Sequence, residues 1–486
     1  MRRKWVLPAV AAVTLTAGVT GGMYLGSSED GPLKKWIGKM ETDGEVDKQE
    51  KAAVNDKELG KVEQAYDLIL SSYVEEVESD QLVEGAIQGM LTTLDDPYSV
   101  YMDKETAKQF EETLDSSFEG IGTEIGIDEG KIIIISPYKN SPAEKAGLKP
   151  KDQILKVNGE SVEGKNLYET RLKIRGKKGT SVTLEIKRDG VANPIIVKMV
   201  RAEIPLESVF SAVKEEKGKK MGYIELTTFS VNTAADFKNH LQKLEEQNIQ
   251  GLIIDVRGNP GGLLSSVEEI VGNLVTNKKP YLQIEERNGD TRAYFTNLKE
   301  KKEYPIAVLM DKGSASASEI LASALQEAGG YPLIGDRSFG KGTVQQPVPM
   351  GDGSNIKLTL FKWLSPDGNW IHKKGIEPTI EVHQPDYFNL QPLAIDKTLK
   401  RDDNSEQIKH AQEMLSGLGF ESSRDDGYFD QRTEVAVKAF QQQNGIEVTG
   451  KLDQKTAGAI ETALIEKIKD EQNDIQLKIA LKYLAK

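Results

Sequence analysis

Two short segments crowd small residues around hydroxyls and one lysine: Asp311-Lys312-Gly313-Ser314-Ala315-Ser316-Ala317-Ser318-Glu319, and Ser338-Phe339-Gly340-Lys341-Gly342-Thr343-Val344-Gln345-Gln346. A serine at a tight strand-to-helix junction exposes its hydroxyl, and the amides of the incipient helix sit where an oxyanion would develop. Such a hydroxyl needs a base. The four histidines, at positions 240, 372, 383 and 410, all lie outside Gly-rich strand ends. Lys341 is the better candidate, because close packing around Gly340 and Gly342 would desolvate its ammonium and lower its pKa from about 10.4 toward neutrality. Gln345 cannot take the proton, but it can orient a neutral amine by hydrogen bonding. On residue types alone a bland reading stays open, in which the Ser-Ala run fills a helix–sheet contact and Gly-Lys-Gly is a surface turn. Gly340-Lys341-Gly342-Thr343 lacks the upstream glycine of a phosphate-binding loop.

The elements that must hold these residues follow from periodicity. Between 219 and 385, β-type runs alternate with amphipathic helical runs: Met221–Phe229, Ala234–Leu244, Gly251–Val256, Leu264–Leu274, Ile306–Leu309, Ser318–Ala328 and Leu333–Ile334. Such alternation predicts a sheet covered by helices. The run Leu252, Ile253, Ile254 reads as a central buried strand. Asp255-Val256-Arg257-Gly258-Asn259-Pro260-Gly261-Gly262 closes it, and loops at strand C-termini are where this architecture places its site.

Upstream, residues 58–115 predict helices over Val62–Val74, Leu82–Leu94 and Lys104–Leu114, interrupted by Asp96-Pro97-Tyr98-Ser99. From Gly120 the period changes to two, with strands at Gly122–Ile127, Lys131–Ser136, Gln153–Val157 and Thr180–Lys187. The opening Gly120-Ile121-Gly122-Thr123 could present backbone amides beside a strand edge, as a module that captures a peptide's terminal carboxylate requires. A plain glycine turn is the other reading. Downstream, three helical segments over 404–465 form a separate binding module, and the charged tail 466–486 reads as a solvated helix.

Composition narrows the chemistry. With no cysteine, thiol catalysis, cysteine-ligated metal and disulfides are excluded, and neither a metal nor another cofactor is expected. The 63 basic and 76 acidic side chains give a net charge of −13, so no nucleic-acid partner is expected. A length of 486 residues allows about three domains of ordinary size. At the front, Arg2, Arg3 and Lys4 precede the uncharged stretch Trp5–Gly26, which is long enough to cross a bilayer. Residues 1–26 therefore predict a transmembrane anchor, with a cleaved signal as the alternative, followed by a polar tether over 27–57. The expected location is the cell membrane with an extracytoplasmic catalytic part, or the secreted or envelope space after cleavage.

Over nearly its whole length the sequence resembles the carboxyl-terminal processing peptidases, or tail-specific proteases. The motif around the family nucleophile matches Ser314 to Glu319 and sets the nucleophile on Ser316. The family's general-base lysine falls on Lys341 and its assisting glutamine on Gln345. Arg257 to Gly262 is similar to the family loop that donates one oxyanion-hole amide, from Gly261 or Gly262, with the second from Ala317. Residues 116–200 resemble the family's inserted PDZ domain, with Gly120, Ile121, Gly122 and Thr123 as carboxylate-binding loop and Arg175 as the link from PDZ domain to catalytic site. Residues 404–465 are similar to a peptidoglycan-binding three-helix domain. The resemblance implies an α/β catalytic core of the tail-specific protease type at 201–390, with an inserted β-rich PDZ domain, a helical N-terminal region and a C-terminal three-helix module. It implies a serine endopeptidase with a Ser-Lys dyad that acts on proteins with free C-termini, with peptidoglycan and the membrane as further partners and a homodimer as assembly. A catalytically silent envelope scaffold and a small-ester hydrolase are the competing readings.

Overall fold

The computed structural model describes residues 56–486 apart from 129, 139, 166, 189–190, 192 and 391–392. Two helices, α1 (Asp56–Ser72) and α2 (Ser79–Thr92), come first, with Leu68 and Met90 on them and Tyr73 and Val74 in the segment between them all exposed. The chain then passes the Asp96-Pro97-Tyr98-Ser99 turn into β1 (Val100–Met102) and α3 (Lys104–Leu114), whose first turn is capped by Asp103 accepting from Thr106 N–H at 2.7 Å. Ala107, Phe110 and Leu114 form the buried face of α3 and pack with Leu263, the residue after Gly262.

A β-rich module follows. β2 (Ser117–Gly120) leads into β3 (Thr123–Asp128), β4 (Lys131–Pro137), the short α4 (Pro142–Lys145), β5 (Gln153–Val157), β6 (Glu160–Ser161), α5 (Leu167–Ile174), β7 (Ser181–Lys187) and β8 (Ile195–Val200). Strand order β3-β4-β5-β7-β8 leaves β3 on an edge, and alternating inward residues such as Val182, Leu184 and Ile186 give the module its own core. Return strand β9 (Ala202–Pro205) pairs antiparallel with β2, so the two linkers of the inserted module are zipped together.

The core sheet begins with the hairpin β10 (Val209–Glu216) and β11 (Lys219–Leu226). Helix α6 (Thr233–Glu245), β12 (Leu252–Asp255) and α7 (Leu264–Val271) come next. A second sheet starts with β13 (Leu282–Glu285) and β14 (Thr291–Tyr294). Then follow β15 (Ile306–Met310), α8 (Ala317–Ser323) extended by a π-helical turn Ala324–Ala328, β16 (Leu333–Gly335), β17 (Thr343–Pro349), β18 (Asn355–Leu364) and β19 (Ile380–Glu381). The first sheet runs β10-β11-β12-β15-β16-β19, parallel from β11 onward, and every residue of β12 and β15 is buried. In the second sheet β18 forms a hairpin with β17 and pairs with the distant β1 and β13, two long-range pairings without a local signal in the sequence.

Helices α9 (Glu406–Gly417), α10 (Gln431–Gln443) and α11 (Gln454–Lys469) surround a separate core of Ile408, Leu415, Val437, Phe440 and Ile460. The last helix, α12 (Ile475–Leu484), corrects the solvated-tail expectation. Its Leu477, Ala480 and Leu484 are buried against Met221, Ile253, Ala307, Leu309 and Ile334 of the parallel sheet, because that sheet face would otherwise present a continuous aliphatic surface to water.

The membrane expectation is also corrected. Among the described residues no helix is long and apolar enough to cross a membrane, so no described helix supplies a transmembrane anchor, a membrane partner or a single-pass placement. The stretch Met1–Gly26 on which that expectation rested, and the tether to residue 55, lie outside the described residues.

Candidate active site

β15 ends at Met310, and the chain turns through Asp311 to start α8 at Ala317. Asp311 Oδ1 gathers this turn by accepting from the N–H groups of Gly313 at 2.9 Å and Ser314 at 3.1 Å. Ser316 sits at the junction with φ 57° and ψ −111°, a conformation costly for a residue with a Cβ and held here by its surroundings. Its backbone N–H donates to Glu319 Oε2 at 2.8 Å, while its Oγ is fully buried and has no hydrogen-bond partner. The next amide, Ala317 N–H, is the first of the helix, a position without an intrahelical acceptor.

Glu319 brings the serine and lysine segments together. Its carboxylate is completely buried and accepts from Ser316 N–H, Lys341 N–H at 2.8 Å, Gly340 N–H at 2.7 Å and Ser338 Oγ at 2.6 Å. Burial pushes its pKa up while these four donors pull it down, and burial prevails. No function was assigned to Glu319 from the sequence. The available signal was the Ser-x-x-Glu spacing of a helix start, whose acid reaches back to the N-cap amide.

The Gly-Lys-Gly segment is a packed interior loop rather than a surface turn. A Cβ on Gly340 would lie 2.8 Å from Gly375 N, and one on Gly342 would lie 2.8 Å from His372 N. Trp363 Nε1 donates to Lys341 O at 2.7 Å, and Trp370 Nε1 to Gly342 O at 2.8 Å. Lys341 is only 2 % exposed, and its Nζ has no hydrogen-bond partner, lying 4.5 Å from the centre of the Tyr98 ring. Burial lowers its pKa to about 7, helped by the charge of Lys357, against the pull of Asp96 and Glu319. Lys357 is itself buried, and burial brings it down to about 8. Gln345 Nε2 donates to Thr343 Oγ1 and Thr359 Oγ1, both at 3.0 Å, leaving its buried Oε1 open. Ser316 Oγ, Lys341 Nζ and Gln345 Oε1 are thus not hydrogen-bonded to one another in this state. Catalytic hydrogen bonds of this kind often tighten only when substrate arrives.

The loop after β12 packs directly on the serine. A Cβ on Gly261, where φ is 109°, would lie 2.9 Å from Ala315 O, 3.0 Å from Ser316 Cβ and 3.1 Å from Ala317 N. One on Gly262 would lie 2.1 Å from Phe229 O, so neither site admits a side chain. Asn259 is fully buried and ties the loop down, donating to Leu226 O at 2.7 Å and accepting from Gly261 N–H at 2.9 Å. In this state Gly261 N–H is therefore already engaged. The sequence reading named Asn259 only as part of the glycine loop and Asp96-Pro97-Tyr98-Ser99 only as a helix stop, and missed the part both play at the site. Asp96 accepts from Tyr98 N–H and Ser99 Oγ, Ser99 Oγ accepts from Thr359 N–H, and Tyr98 covers Lys341. One of the four histidines, His372, does reach the neighbourhood, with Nδ1 accepting from Gly342 N–H at 3.3 Å and its ring stacked on Trp370. It makes no hydrogen bond to Ser316.

Away from this centre, edge strand β3 and helix α5 flank a groove of about 330 Å³ lined by Ile121, Gly122, Thr123, Ile125, Tyr138, Ile174 and Arg175. Gly122 has φ 73°, and Ile121 is buried in the module's core, while Gly120 ends β2 opposite Ala202. Arg175 reaches out of the module to form an ion pair with Glu112 on α3 and lies 4.7 Å over the Phe118 ring.

Residues 220–382 match the model of peptidase family S41, 110–187 a PDZ domain, 15–106 the N-terminal domain of the activating protease CtpB, and 404–460 a putative peptidoglycan binding domain. The carboxy-terminal processing protease CtpB of Bacillus subtilis (strain 168) is 58% identical over 90% of this chain and 94% of its own length, and CtpA of the same organism is 44% identical over 90% and 92%. The chain belongs to the CtpA/CtpB-like carboxyl-terminal processing proteases. A solved structure of the photosystem II D1 C-terminal processing protease aligns with 66% of this chain and 92% of its own, at 26% identity and a TM-score of 0.40. As a family member with a PDZ domain, the chain is a serine protease. The expected family fold, with N-terminal helices, β-rich PDZ-like region, α/β core and C-terminal helical module, is the one observed.

Proposed function

We propose that this protease cleaves proteins at or near their C-termini with a Ser316–Lys341 dyad assisted by Gln345. The observation that carries the reading is Lys341: a lysine 2 % exposed, with a pKa lowered to about 7, on a loop fastened through Glu319 to the amide of Ser316. A neutral amine at that place accepts the Ser316 proton as the hydroxyl attacks the scissile carbonyl. Gln345 Oε1, open and buried, accepts from the Lys341 amine and holds its lone pair toward the serine. Ala317 and the Gly261-Gly262 loop stabilise the tetrahedral oxyanion, with Gly262 or a released Gly261 as second donor. The Lys341 ammonium then gives the proton taken from Ser316 to the leaving amine as the scissile C–N bond breaks, and the neutral amine so restored activates the water that hydrolyses the acyl-enzyme and frees Ser316.

The groove beside β3 supports recognition of the substrate tail. An unpaired strand edge next to a positive-φ glycine turn suits an added peptide strand ending in a free carboxylate, and the apolar lining by Ile121, Ile125 and Ile174 suits an aliphatic last residue. Arg175, paired with Glu112 on the helix that packs against Leu263, is the proposed link between groove occupancy and the oxyanion loop. The peptidoglycan-binding match at 404–460 favours a cell-envelope setting with peptidoglycan as a partner.

One observation favours the silent-scaffold reading: the dyad is open in this state. Labelling decides between the two. A serine-directed electrophile such as a fluorophosphonate is expected to modify the parent on Ser316, and Ser316→Ala and Lys341→Ala are each expected to abolish turnover of a tail peptide without unfolding. Near-parent rates in either variant would overturn the dyad.

A further inference from the structure

The chain leaves the core after β19, builds the three-helix module, and returns to the core with α12. The return is made at one buried cationic side chain. Arg257, the first residue beyond Val256 in the glycine loop, places its guanidinium between two carboxylates. On one side Asp255 accepts from Nε at 3.0 Å and from Nη2 at 2.6 Å. On the other, Asp474 at the start of α12 accepts from Nη1 at 3.0 Å and Nη2 at 2.8 Å, a two-pronged pair, and Gln476 Oε1 accepts from Nη1 at 3.1 Å. Burial alone would push the Arg257 pKa down, but the two carboxylates outweigh it.

Asp474 and Gln476 are themselves fixed. Asp474 caps α12 by accepting from Leu477 N–H at 2.9 Å, and takes a bond from Gln384 Nε2 at 2.7 Å. Gln476, completely buried, donates to Asp336 Oδ2 at 3.0 Å and Val382 O at 2.7 Å. The residue after Arg257, Gly258, donates its N–H to Asp311 Oδ1, the same oxygen that shapes the turn before Ser316. The glycine loop is therefore pinned at its beginning from the C-terminal end of the chain, more than two hundred residues away, and its far end lies on Ser316 and Ala317.

We propose that Asp474 and Gln476, with the terminal helix they begin, are positioning residues for peptide hydrolysis: they fix Arg257 and through it the Gly258–Gly262 loop that supplies one oxyanion-hole amide. The inference rests on the oxyanion role given to that loop above. It makes the segment beyond the peptidoglycan-binding-like module part of the catalytic core, so the module is an insertion fastened at both ends rather than an appended tail.

The test uses the full chain. Asp474→Ala is expected to lower kcat for a tail peptide by about 10- to 100-fold, the size of effect that follows from misplacing an oxyanion donor. KM and the affinity of a non-cleavable PDZ-binding peptide should stay within about twofold, and a peptide boronate that mimics the tetrahedral adduct should lose affinity by about the same factor as kcat. Asp474→Asn keeps side-chain size and hydrogen-bonding capacity but loses the paired carboxylate, and serves where the alanine variant folds poorly. Asp474→Glu should recover part of the loss, and Lys482→Ala, exposed on the same helix, should behave as the parent. Unchanged kcat and boronate affinity in folded Asp474 variants would overturn the inference. So would a loss shared equally by kcat, peptide affinity and thermal stability, which marks a purely structural helix. Absence of Ser316-dependent turnover in the parent would sink the Ser-Lys reading and this inference with it, whereas normal parent turnover with normal Asp474 variants sinks this inference alone.

Discussion

A lysine can serve as base at neutral pH only when the fold makes its charge unfavourable, and for Lys341 burial does most of this, with Lys357 adding like-charge repulsion. In the proposed dyad the reactive form is the neutral amine, so turnover is expected to rise as pH passes about 7 and to level off above it. A histidine base would level off in the same range, so the profile alone does not separate the two, contrary to what an unperturbed lysine would give. Lys357→Met does separate them. Removing that charge relieves the repulsion on Lys341 and should move the rising limb alkaline by at least about half a pH unit in a pH–kcat titration. The same burial has a stability consequence. In the unfolded chain Lys341 keeps a value near 10.4, whereas folded it is near 7. Between these values the unfolded state binds the extra proton, so this group makes stability rise with pH across that window and weakens the fold below it. Lys341→Met should therefore abolish turnover while raising the melting temperature at pH 7 by at least about 2–4 °C.

At the scale of elements, the serine and lysine segments are separate sequence motifs joined by one carboxylate. Glu319→Ala would leave the buried N–H groups of Ser316, Gly340 and Lys341 without their acceptor, and a loss of about 3 kcal/mol or more in urea unfolding is expected, with no measurable turnover. Gly261→Ala acts differently. Its Cβ would press on Ala315 O and Ser316 Cβ, so kcat should fall by about 100-fold or more while the rest of the fold, read by PDZ-peptide affinity, is retained. Strands and helices were legible where they are local and periodic; Gln153–Val157 of the β-rich module and the helix Lys104–Leu114 fall where the pattern puts them. The second sheet was not. Its pairing of Val100 with Lys357 joins residues distant in the chain, and that pairing, with the Thr359 N–H bond to Ser99 Oγ, holds the Tyr98 turn over Lys341.

At the scale of the molecule, the groove on the β-rich module is connected to the core by Arg175 and Glu112, and through α3 to Leu263 beside the Gly261-Gly262 loop. With the groove reading a terminal carboxylate as proposed, a peptide with an amidated C-terminus should bind it at least about tenfold more weakly by calorimetry. Arg175→Ala should abolish any acceleration by a free-carboxylate peptide even at concentrations that saturate the groove. Composition and spacing by themselves determined much about this protein: the absence of thiol chemistry, a small-residue serine turn, a lysine between glycines, and the alternation of strands and helices. Those are local properties, set by side-chain type, backbone permissiveness and period. Only the tertiary structure decided that Lys341 is dry enough for its pKa to fall to about 7, that Glu319 joins the amide of Lys341 to that of Ser316, and that the last helix is built into the core against Arg257. Desolvation and long-range pairing depend on which distant surfaces are removed from water together, and no local pattern in the chain records that.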